Sequence, residues 1–116
     1  MLLRLFQVLS VLPLPLLHAI GVVAGWVVYA ASPTYRRRMR DNLQRAGYLH
    51  LLPDAIAEAG KGVLELPFIW CARPQRVLGS ATLHDWEVAQ QALDSGKGAI
   101  FLTPHLGCFE IIAQAI

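Results

Sequence analysis

The sequence predicts an α/β fold. An N-terminal transmembrane or anchor helix should be followed by the helical start and first strand or strands of an incomplete domain. Three observations carry this reading. From Leu5 to Ala31 no side chain is charged. A helix-forming stretch ending at Gly96 leads directly into the apolar run Gly98-Ala99-Ile100-Phe101-Leu102-Thr103. That run shows no polar alternation, as in a strand covered on both faces by helices.

The domain organisation read from these features is a membrane anchor over residues 1–31 and the beginning of a second, truncated domain over 32–116. About 20 apolar residues suffice to cross a bilayer as a helix. Pro13 and Pro15 predict a kink or break, after which Leu16 to Ala31 runs on, with Trp26 and Tyr29 near its end where interfacial aromatics collect. Arg36, Arg37, Arg38, Arg40 and Arg45 face one acid, Asp41, just beyond, so the positive-inside tendency puts this flank in the cytoplasm. A signal peptide has a shorter apolar region and its basic flank at the other end. A non-spanning interfacial hairpin is the other alternative, made possible by the two prolines. A 55% hydrophobic content and mean hydropathy of +0.45 agree with membrane attachment. The net charge of +2 is local to the arginine segment, which does not support nucleic-acid binding.

Ser32-Pro33-Thr34 caps a helix expected over Tyr35 to about Ala46, with Gly47 as its stop. Its arginines either set orientation only or also contact an anionic lipid. Leu52-Pro53-Asp54 opens a second helix, whose main stretch is Ala55 to Ile69, with a break expected near Pro67 and an end before Arg73-Pro74. Glu65 is read as the polar side of this amphipathic helix, with a buried functional role as the alternative. His18, inside the apolar segment, is an intramembrane ionisable residue and so a functional candidate, although a backbone or headgroup partner would satisfy it. Val77 and Leu78 suggest a short strand, Thr82 or His84 the start of a helix through Ser95, and Leu106 to Ile116 a further helix. His50 and His84 read as surface residues, since neither has metal-ligand spacing. Cys71 and Cys108 could pair, but two free thiols in a reducing compartment are the simpler state.

His105 and Glu110 carry the chemistry. His105 falls just beyond the expected strand end, where reacting groups collect in open α/β sheets. Glu110, five residues on, can reach back from the following helix. A carboxylate on one ring nitrogen fixes the tautomer and leaves the other nitrogen as a base. Such a base can take a proton from a hydroxyl attacking an acyl group. The spacing alone also fits a histidine that merely caps the helix, and Cys108 is a rival nucleophile with nothing in the sequence to activate it.

The run Gly98-Ala99-Ile100-Phe101-Leu102-Thr103-Pro104-His105-Leu106-Gly107-Cys108-Phe109-Glu110 resembles the first block of the lipid A biosynthesis lauroyl/myristoyl acyltransferases, within the lysophospholipid acyltransferase superfamily. Upstream, Arg37-Arg38-Met39-Arg40-Asp41-Asn42-Leu43 resembles that family's arginine-rich segment ending in Asn-Leu. The resemblance implies an O-acyltransferase of the bacterial inner membrane, active at its cytoplasmic face. His105 would be the general base, Glu110 its orienting carboxylate, and Arg37, Arg38 and Arg40 substrate-binding. The donor would be an acyl thioester on acyl carrier protein or coenzyme A, and the acceptor a hydroxyl of a lipid A precursor. No metal, cofactor or covalent acyl-enzyme is implied. Another lipid acceptor, such as a lysophospholipid or an ornithine-type lipid, is the near alternative, and a small membrane-anchored interaction protein without catalysis the more distant one. The family's later blocks have no counterpart here, so the expectation is a fragment, inactive alone.

Overall fold

A computed structural model describes residues 2–103, 107 and 109–111. The chain falls into two compact units, Met1–Ala72 and Arg73–Ile116. The first contains helices α1 (Leu2–Val11), α2 (Leu14–Ala31), α3 (Pro33–Arg45) and α4 (Leu52–Cys71), with a 3₁₀ turn at Leu49–Leu51. The second contains α5 (Pro74–Leu78), α6 (Trp86–Asp94) and a 3₁₀ turn at Phe109–Ile111.

The apolar segment is interrupted at Leu12 and Pro13. The Leu12 N–H still bonds the Leu9 carbonyl at 3.0 Å, and Pro13 is extended (φ −61°, ψ 140°). Pro15 is accommodated in the first turn of α2, where its missing N–H leaves no intrahelical bond unmade. Ser32 ends one helix and begins the next. Its N–H bonds the Val28 carbonyl at 2.9 Å, while its Oγ accepts the Tyr35 N–H at 3.3 Å. At the other end of α3 the chain closes in a Schellman motif. Gly47 adopts φ +81°, its N–H bonds the Gln44 carbonyl at 3.1 Å, and the Tyr48 N–H bonds the Leu43 carbonyl at 2.8 Å.

Among the described residues the α2–α4 contact is the most extensive, and α1 also packs on α4. It is built on glycine. A Cβ at Gly25 would lie 2.5 Å from the Ile56 carbonyl oxygen, and one at Gly60 would fall onto the Gly21 carbonyl. Gly21-Val22-Val23-Ala24-Gly25 therefore lets the two backbones touch, as small residues four apart do between helices. Leu17 and Ile56 are buried beside this crossing.

Two expectations about α4 and the region beyond it are corrected. Pro67 does not break α4, which runs continuously from Leu52 to Cys71. Proline removes one ladder bond, but Pro67, Phe68 and Ile69 are all buried, and their packing outweighs that loss. The α/β fold is also overturned: every regular element among the described residues is helical, and none is a strand. Val77 and Leu78 belong to α5, with Val77 buried. Ala99 to Thr103 is irregular and exposed, with Ile100 91% and Leu102 93% accessible. An apolar run becomes a strand only against a partner ladder and covering helices, and the described residues supply neither. The third helix starts later than expected, at Trp86, after Asp85 in a left-handed conformation (φ +53°), and Gly96 (φ +68°) follows its end as expected.

Candidate functional site

The expected catalytic pair is only partly visible. His105 lies outside the described residues, as does Cys108, and so does most of the helix expected over Leu106 to Ile116. Glu110 sits half-exposed in the Phe109–Ile111 turn, and Gly107 before it has φ +56°. Cys71 is a free thiol, half-buried at the end of α4.

The arginines expected to bind substrate are all on α3, but they divide. Arg37 and Arg40 line a shallow cleft together with Arg36, Pro33 and Asp41; Arg38 is not part of its wall. Arg36 is anchored to the end of α2: its Nη1 donates to the Ala30 carbonyl at 3.4 Å, and its guanidinium lies 6.0 Å from the Tyr29 ring centroid. Tyr29 in turn meets Trp26 edge to face, with centroids 6.0 Å apart at 75°. One end of the apolar helix thus carries two aromatics and, beside them, a guanidinium that donates to the Ala30 carbonyl. This is the layering found at a membrane surface, aromatic rings at headgroup level with basic groups beyond.

The second polar feature unites two residues that the sequence presented separately. His18 on α2 and Glu65 on α4, 47 positions apart, are joined by a 2.7 Å contact between Nε2 and Oε1. The imidazole N–H donates and the carboxylate accepts. The His18 side chain is 33% exposed and that of Glu65 19%. The reading of Glu65 as merely the polar side of an amphipathic helix missed this bond. The sequence carries no local signal for it, since the partners lie 47 positions apart and meet only where the helices cross. Lys61 and Glu58 form a further 2.7 Å ion pair on the surface of α4. Among the described residues, no cluster of His, Cys, Asp and Glu could hold a metal ion.

No family model, curated protein or solved structure matches the chain. By length and composition α2, with a mean hydropathy of 1.8, is apolar enough to cross a membrane.

Proposed function

We propose that this chain belongs to a membrane-bound acyltransferase at the cytoplasmic face of the bacterial inner membrane. It would move a fatty acyl group from an acyl thioester, on acyl carrier protein or coenzyme A, to a hydroxyl of a lipid A precursor. The run from Gly98 to Glu110 carries the reading, and the apolar α2 followed by the arginine-bearing α3 supports it. In the reaction, His105 takes the proton of the acceptor hydroxyl as its oxygen attacks the thioester carbonyl. Glu110 fixes the ring and offsets the imidazolium charge. The tetrahedral intermediate then collapses, expelling the thiolate, which recovers the proton from His105. General-base assistance of this kind is worth about 10²–10⁴-fold in rate.

The test is mass spectrometry of lipid A from cells expressing the whole reading frame that encodes this chain. A gain of one acyl group, lost in His105→Ala and strongly reduced in Glu110→Gln, is the expected result. An unchanged acyl count, or full activity of His105→Ala, rejects the reading. Assays with a labelled thioester and each candidate acceptor separate lipid A precursors from lysophospholipids and ornithine-type lipids. A second reading, a membrane-attached interaction protein without catalysis, is favoured by the all-helical described residues. It expects no acyl transfer to any acceptor.

A further inference from the structure

The charges on α4 form one stripe. Asp54, Glu58, Lys61 and Glu65 are spaced i, i+4, i+7, i+11, on a single side of the helix. Val63 and Trp70, both more than half exposed, lie about 160° around α4 from that stripe at about 100° per residue. On α2 the exposed row Leu16, Ile20, Val23 and Val27 repeats the same spacing and centres about 170° from His18. The His18–Glu65 bond fixes how the two helices face each other. Through this bond His18 meets the charged stripe of α4 on one surface of the pair, and the apolar rows lie on the opposite surface.

Such a pair does not suit a transmembrane course. α4 lies along α2 through the glycine crossing, so a spanning α2 would take the Glu58–Lys61 pair and Glu65 into the hydrocarbon. Each charge placed near the bilayer centre costs several kcal/mol even on the lenient insertion scale, about 2.5–3.5 for an acid or a base. A surface with one apolar and one charged face instead fits the plane of a membrane interface.

We propose that α2 and α4 lie flat in one leaflet of an anionic bilayer, with their apolar rows among the acyl chains and the α4 stripe toward water. The cleft arginines Arg36, Arg37 and Arg40 then meet lipid phosphates, and charge complementarity selects an anionic membrane over a second protein. A largely apolar groove, lined by Ala24 and Val28 of α2, Tyr35 of α3 and Ala59, Val63 and Leu64 of α4, supplies a trough for an acyl chain. Both ends of the helical pair stay on the same side of the membrane. This placement is independent of acyl transfer.

The test is sidedness in the full chain. With Cys71→Ser and Cys108→Ser as background, Gln44→Cys on α3 and Gln75→Cys beyond α4 are labelled with a membrane-impermeant maleimide in sealed vesicles of known orientation. Both positions are exposed in the fold, so neither substitution removes packing. Labelling of both from the same side is expected; labelling from opposite sides overturns the proposal in favour of a spanning helix. A parallel arm floats the protein with phosphatidylcholine vesicles, with and without phosphatidylglycerol. Tighter binding to the anionic vesicles should weaken about fivefold for each of Arg36→Ala, Arg37→Ala and Arg40→Ala. Binding indifferent to both lipid charge and these substitutions, or a chain that stays in aqueous dimers beside the vesicles, overturns it. Acyl-transfer activity enters neither readout, so failure here and failure of the enzymatic reading are separable.

Discussion

His18 and Glu65 are individually unremarkable in the sequence, a histidine in an apolar helix and an acid in an amphipathic one. Their meaning lies in the 2.7 Å bond between them. No local pattern could supply it, because the partners are 47 residues apart and meet only after the helices cross. A hydrogen bond to a charged group contributes more than a neutral one, but partial exposure of both side chains screens it. A double-mutant cycle of His18→Ala and Glu65→Gln in detergent micelles, read by chemical unfolding, should give a coupling of about 1 kcal/mol. Strict additivity of the two substitutions would show that the bond contributes nothing. The other candidate pair is the reverse case: His105 and Glu110 stand out by spacing and by the resemblance of the run from Gly98 to Glu110, and His105 lies outside the described residues.

The element boundaries were largely readable because their signals are local. Ser32 as a cap, Gly47 as a stop and the break at Pro13 each act through one or two backbone groups, and the structure places them as the sequence suggested. Pro67 and the run from Ala99 to Leu102 were misread because their outcome depends on what packs against them. Glycine makes the same distinction sharply within α4. Gly60→Ala would drive a methyl group into the Gly21 backbone and should destabilise by about 1–3 kcal/mol, since the obstacle cannot rotate away. Gly62, two residues on, meets nothing, and Gly62→Ala should stabilise the helix by about 0.5–1 kcal/mol. Thermal unfolding of the two variants checks the pair. Equal effects would mean that the helices do not touch through Gly60.

Across the whole molecule, the first unit is organised by helix contacts, whereas the second exposes apolar residues that a sheet would have buried. Ile100 and Leu102 are the clearest case. Ile100→Asp and Leu102→Asp should therefore change the unfolding free energy of this chain by no more than about 0.5 kcal/mol, as for exposed positions generally. A loss of several kcal/mol would instead indicate a buried strand.

The separation of His18 from Glu65 also has a consequence in time. Chains are synthesised at about 5–20 residues per second, so Glu65 emerges roughly 2–9 s after the histidine it must meet. During that interval α2 has an unanswered imidazole and an open glycine groove. The nascent chain therefore passes through a stage in which its most apolar helix is complete while the helix that packs against it is not. Only the arrival of Gly60 and Glu65 fixes which side of α2 faces its partner helix.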